Sequence, residues 1–207
     1  MTELLASLPW DKILEGLGFT VGLLYLWWEY HADPRLWIAS IVMPSISMWI
    51  YLGKGIYADF AINIYYFVIA IYGYVAWTRK QRGHSAQDEG KKSAGLPIRH
   101  IPQEILAMCV AVFMLLWAGM YLALDNLTNS TVPLADSFTT SLSIVAMWML
   151  ARKYIEQWLA WIAVDIVSSG LYVYKELYFY AVLYAIYTVI AVVGYRKWQR
   201  LMAAQHS

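Results

Sequence analysis

Apolar residues fall along this chain in seven blocks separated by short polar breaks, at about 13–31, 35–53, 57–78, 102–124, 136–151, 154–174 and 177–197. A transmembrane helix needs about 20 mainly apolar residues, and the pattern predicts seven of them. Trp27, Trp28, Trp37, Trp77, Trp117, Trp148 and Trp198 lie near block ends and fit anchors at the membrane–water interface. The extended polar stretch from Thr78 to His100 mixes Gly, Ser, Gln and both signs of charge. It reads as a solvated connector, with lipid or partner binding as the alternative.

Composition sharpens this picture. Of 207 residues, 61% are hydrophobic and 14% charged, against about 25% charged in a soluble domain. Most of the surface is therefore not built for water, and a single transmembrane domain over 1–207 leaves no room for a soluble catalytic domain. The N-terminal residues carry Glu3 and Asp11 and lack a basic leader, which predicts no cleaved signal peptide. Cys109 is the one cysteine and reads as a small buried hydrophobe.

Charge distribution gives the predicted orientation. With seven spans, one side receives Arg35, Arg79, Lys80, Arg82, Lys91, Lys92, Arg99, Arg152, Lys153, Arg196, Lys197 and Arg200, and the other only Lys12, Lys54 and Lys175. The excess marks the cytoplasmic side. The N-terminus is then outside and the C-terminus in the cytoplasm. The turn Arg152 to Glu156 reads as a positive anchor, with an ion-paired gate as the alternative.

The chain also repeats itself. Shifted by 121 residues, 36–77 aligns without a gap on 157–198 with 14 identities in 42 positions, among them Trp37 with Trp158, Lys54 with Lys175, Tyr66 with Tyr187, and the ending G-Y-x-x-W. Trp27 against Trp148 extends the shift weakly into the first and fifth spans. The expected architecture is two parallel three-helix repeats, about 13–78 and 136–198, joined by a linker helix at about 102–124: an all-α, seven-helix, 3+1+3 arrangement like that of the SWEET carriers. Such transporters bind cargo near the midplane, between repeats.

Polar residues at that depth are the candidate site. Asp165 lies in the middle of the sixth span, and Trp158, Trp161, Asp165, Ser168 and Tyr172 share one helical face. A charge there costs about 2.5–3.5 kcal/mol on insertion scales. A carboxylate one turn from an indole suits an organic cation; a purely structural hydrogen bond is the alternative. In the third span, Asn63 and Tyr66 share a face, and the shift relates Asn63 to Tyr184 and Tyr66 to Tyr187. These residues are expected to face one another. Thr140 and Ser143 line one face of the fifth span, either toward a pore or bonded within the helix, and Asp136 reads as a first-turn acid. Pro44 holds the place of Asp165 in the first repeat, and Gly18 and Gly22 form a G-x-x-x-G pair that predicts close helix approach. No P-loop, metal-binding cluster or histidine relay is present in the sequence. The expectation is a carrier without cofactor or metal, not an enzyme. A substrate-binding subunit of an energised uptake complex is the alternative.

The motifs R-K-Y-x-E-x-W at 152–158, W-x-x-W at 158–161 and the G-Y-x-x-W span ends resemble those of the Pnu family of bacterial vitamin transporters. So does the stretch YADFAINIYYFVIAIYGYVAW of the third span. The resemblance covers nearly the whole chain. It implies a homotrimer in the inner membrane and facilitated diffusion of a vitamin, with a cytoplasmic kinase trapping the cargo. The branch that carries nicotinamide riboside typically has Asn where this chain has Asp165. The resemblance is therefore closer to the thiamine-carrying PnuT branch, which implies thiamine as cargo, with nicotinamide riboside as the alternative. It centres the site on Asp165 and Trp161, with Trp158, Asn63, Tyr66, Tyr184, Tyr187, Thr140 and Ser143 as walls.

Overall fold

The computed structural model describes residues 10–54, 57–79, 96–128 and 131–205. Most of the polar connector, and the surroundings of Gly18 in the G-x-x-x-G pair, lie outside the described residues. Seven α-helices occur among the described residues: α1 Trp10–Tyr30, α2 Leu36–Lys54, α3 Tyr57–Thr78, α4 Gln103–Leu127, α5 Pro133–Ala151, α6 Gln157–Tyr174 and α7 Tyr178–Ala204. Five of them, α2 to α5 and α7, are long and apolar enough by composition alone to cross a membrane. The other two are diluted by polar and aromatic residues: α1 by Asp11, Lys12 and Glu15, α6 by Gln157, Asp165 and its Trp and Tyr residues.

The chain divides into two compact units, residues 1–67 and 68–207, with the boundary inside α3. In the first, α1 packs against α2. In the second, α6 and α7 form the most extensive helix pair, and α5 contacts both α4 and α6.

The 121-residue shift reappears in local structure. It carries α2 onto α6 and α3 onto α7 at their first residues, and the last residue of α1 onto that of α5. It also carries one turn onto another. Ala32 (φ 52°) and Lys153 (φ 53°) both occupy the left-handed region, which is costly for residues other than glycine. The hydrogen bonds around them match as well: Ala32 N–H to Glu29 O at 3.0 Å answers Lys153 N–H to Leu150 O at 2.9 Å, and Asp33 N–H to Trp28 O at 2.8 Å answers Tyr154 N–H to Met149 O at 3.0 Å. The α1–α2 and α5–α6 turns agree in backbone although their sequences share almost nothing.

This turn starts α6 at Gln157 rather than at residue 154. Tyr154 is held instead in a parallel bridge with Arg99. Glu156 does not pair with Arg152 or Lys153: it takes His100 Nδ1 at 2.7 Å and the Ile101 N–H at 3.0 Å. The ion pairs that the alternative reading of this turn, a gate, would need do not form among the described residues; Glu156 clasps the segment before α4 instead.

Two expectations are corrected. Trp37, Trp77 and Trp198 are not interfacial anchors; their exposures are 0%, 3% and 0%. Trp198 meets Trp158 edge to face at 5.7 Å and Trp77 at 6.2 Å, and Trp77 donates its indole N–H to Ala151 O at 3.2 Å. These rings fill the interior of the second unit because G-Y-x-x-W aligns its Gly and Trp along one inward face. Gly22 shows no close helix approach, since nothing lies within 4 Å of where a Cβ would stand. The helix α2 runs through Pro44.

Candidate functional site

Helix α6 places five polar or aromatic side chains on its inward side. Gln157, Trp161 and Asp165 follow at one-turn intervals. Trp158 and Ser168 lie on the adjoining stripe, and both are buried. Asp165 is 7% exposed, and no ion pair among the described residues reaches it. A buried carboxylate without a cation is costly inside a span.

The partner helix supplies aromatic rings. Tyr184 and Tyr187 of α7 both lie near enough to Asp165 for direct electrostatic interaction. Tyr184 meets Tyr187 at 5.7 Å and stacks on Tyr172 at 5.2 Å, and Tyr172 continues to Tyr180 at 5.4 Å. Four tyrosines thus form a ladder from the α6–α7 turn down to the carboxylate. Ser169 Oγ ties the two helices by donating to Ala181 O at 2.9 Å.

Trp158 plays a different part from Trp161. Its ring sits over Gly194, so closely that it excludes any side chain there. Both indole N–H groups, of Trp158 and Trp161, are buried without an acceptor.

The remaining expected residues divide as follows. Thr140 is half-buried and donates to Asp136 O at 2.8 Å, so its hydroxyl is engaged in its own helix. Ser143 is half-buried in α5. Asp136 stands in the first turn of α5 and pairs with Lys175 at 3.6 Å. Asn63 and Tyr66 belong to the first unit. There Tyr66 meets Tyr65 at 5.6 Å and interacts with Tyr25, which is hydrogen-bonded to Glu29.

Two polar groups escaped the sequence reading. Gln157 is fully buried with both amide atoms unpartnered, and Glu29 is 2% exposed. Each sits beside a tryptophan at a span end, Gln157 before Trp158 and Glu29 after Trp28. A polar residue embedded in such an aromatic run is the signal that would have marked them. An apolar groove lined by Trp117, Leu134, Phe138 and Val167 shares none of the residues of the Asp165 set. Among the described residues no group of His, Cys, Asp and Glu is arranged to hold a metal.

Residues 12–200 match the sequence model of the family described as nicotinamide mononucleotide transporter. The chain belongs to this family. The nicotinamide riboside transporter PnuC of Escherichia coli (strain K12) is 27% identical over 209 residues, covering 89% of this chain and 84% of the relative. The nicotinamide riboside transporter PnuC of Neisseria mucosa is 25% identical over 202 residues, covering 82% and 74%. A crystal structure of the vitamin B3 transporter PnuC superposes with a TM-score of 0.62 at 22% identity, covering 90% of this chain and 80% of that one. It shows the same fold. The chain is a multi-pass membrane transporter of a vitamin-carrying family and not an enzyme. The resemblance to the Pnu family therefore holds, while both relatives are named for nicotinamide riboside rather than thiamine.

Proposed function

We propose that this chain carries a flat organic cation without a phosphate group, with nicotinamide riboside as the first candidate, passively across the cytoplasmic membrane. The observation that carries this reading is Asp165, buried on α6 with no ion-pair partner among the described residues and flanked by Trp161, Tyr184 and Tyr187. A pyridinium ring would offset the carboxylate and stack on the aromatic groups. A mononucleotide would bring a phosphate toward the same carboxylate, and like charges there cost several kcal/mol. The names of the relatives support nicotinamide riboside.

Asp165 also favours a second reading. Thiamine offers a thiazolium charge and a pyrimidine amino group, and a carboxylate accepts from the latter where a carboxamide has only one acceptor oxygen.

In either case we assign the heart of the site to Asp165 and Trp161, with Trp158, Tyr184, Tyr187, Thr140 and Ser143 of the second unit around it. Asn63 and Tyr66 are candidates on the sequence pattern alone. The repeat-related turns support a 3+1+3, SWEET-like arrangement as one transporter domain, and the Lys and Arg count supports the N-terminus outside. The homotrimer, the inner membrane and the trapping kinase rest on family resemblance.

Calorimetric titration of nicotinamide riboside, thiamine and nicotinamide mononucleotide into the purified protein tests the substrate. Nicotinamide riboside should bind, and the mononucleotide about 100-fold more weakly. Tighter binding of thiamine than of nicotinamide riboside would move the protein to the second reading. Uptake into proteoliposomes without ATP should stop at equal concentrations. Binding without equilibration would instead indicate a substrate-binding subunit.

A further inference from the structure

At the end of the second unit that the charge count assigns to the cytoplasm, two arginines converge on phenols. Arg99 lies over the Tyr154 ring at 5.0 Å and donates from Nη2 to its hydroxyl at 3.4 Å. Arg152 donates from Nη1 to the Tyr72 hydroxyl at 2.9 Å and is hydrogen-bonded to Tyr154 as well. Tyr154 itself is fully buried. The Nε–H groups of both arginines are buried without an acceptor. Among the described residues neither arginine has a carboxylate partner. Glu156 is taken up by His100 and the Ile101 N–H, and the Lys153 ammonium lies on the Trp77 ring at 4.3 Å.

Two guanidinium groups drawn to one neutral oxygen repel each other, and phenol oxygens satisfy few of their donors. An anion between them would resolve both defects. The planar fork of arginine matches phosphate oxygens two at a time, and tyrosine hydroxyls can turn to donate to the same group. Backbone geometry holds the arrangement in place: Arg99 N–H meets Lys153 O at 3.2 Å, and Ile155 N–H meets Arg99 O at 3.1 Å. A freely solvated anchor of the positive-inside kind would have neither buried Nε–H groups nor this backbone bracing. Basic pockets on the cytoplasmic side of spans take lipid headgroups.

We propose that Arg99 and Arg152, with the hydroxyls of Tyr72 and Tyr154, form a binding site for a phosphate oxyanion. Its source is the headgroup of an anionic phospholipid or a free phosphate, and the two are separable by experiment.

The test is thermal unfolding of the full chain in neutral detergent at fixed ionic strength. The additions are dioleoylphosphatidylglycerol, dioleoylphosphatidylcholine or inorganic phosphate. Saturation of the site should raise the wild-type Tm by about 5 °C. A shift with phosphatidylglycerol alone assigns the site to lipid; a shift with inorganic phosphate assigns it to the free anion. R99Q/R152Q should lose most of the shift. If that pair does not yield folded protein, Arg152→Gln alone should lose at least half. No shift in the wild type from any addition, or a full shift in the variants, overturns the proposal.

Discussion

The six-membered ring of Trp158 fills the space in which a side chain at Gly194 would stand: a Cβ there would lie 2.6 Å from Cη2 of the indole. The indole is rigid and also packs edge to face on Trp198, so it has little freedom to withdraw. The glycine, by the absence of its side chain, sets the spacing of α6 and α7 and hence the placing of Asp165 against Tyr184 and Tyr187.

Gly194→Ala should therefore destabilise the protein by about 1–3 kcal/mol, the usual cost of overfilling an interior. It should also weaken substrate binding, because Trp158 moves on the helix that carries Trp161 and Asp165. Thermal unfolding and titration on the same sample check both effects. Unchanged stability would show that α6 and α7 can separate freely at this point.

Asp165→Asn removes the charge and keeps the shape. A charge-assisted hydrogen bond contributes about 1.5–3 kcal/mol, so affinity for the cationic substrate should fall roughly 10- to 150-fold. Folding should be retained or improved, since a buried charge is lost. Equal affinity in wild type and variant, measured calorimetrically, would remove Asp165 from the site.

Lys153 gives a pH dependence with a definite sign. Burial lowers its pKa from 10.5 to about 8, so between those values the unfolded chain binds more protons than the folded one. Stability should then rise as pH goes from about 8 to about 10.5 and lie on a lower plateau below pH 8. Lys153→Met keeps the stem over Trp77 and removes the titration. The difference in stability between wild type and Lys153→Met should narrow or change sign as pH rises through that window. A difference constant from pH 7 to 10.5 would contradict the assignment.

The helices were legible because seven apolar blocks separated by polar breaks leave little choice, and most predicted bounds fall within three residues of those observed. The one larger departure is α7, which continues through Lys197 to Ala204; α6 begins three residues late because Lys153 and Tyr154 are held in a left-handed turn and a bridge. Asp165 was legible because a mid-span carboxylate is costly wherever it points. The tryptophans were misread for a physical reason. A Trp at a span end looks the same in sequence whether it faces headgroups or a neighbouring helix, and only burial separates Trp198 from Trp27, which is 62% exposed. The state of the Gln157 amide and the convergence of the arginine pair were not legible, for a related reason. Whether their polar atoms find partners depends on segments far away in the chain, such as residues 98–101 against 153–156.

Gln157 carries the last prediction. Its side chain is fully buried and neither amide atom has a partner, which costs about 1–3 kcal/mol for each such group. Leucine has nearly the same volume and needs no partner. Gln157→Leu should therefore leave the protein as stable as the wild type or more so. Function should move the other way. The amide stands two turns from Asp165 on the same face, at the end of the span that the Lys and Arg count assigns to the cytoplasm. Opening of that end would expose it to water or substrate, and its hydrogen bonds would then favour the open form. With leucine that gain is absent, so proteoliposome uptake should slow several-fold while affinity in titration changes little. Slower uptake with unchanged stability and affinity places Gln157 on the exit path. Uptake at the wild-type rate, in a variant that is more stable, would mean that the amide is a defect in the interior with no part in transport.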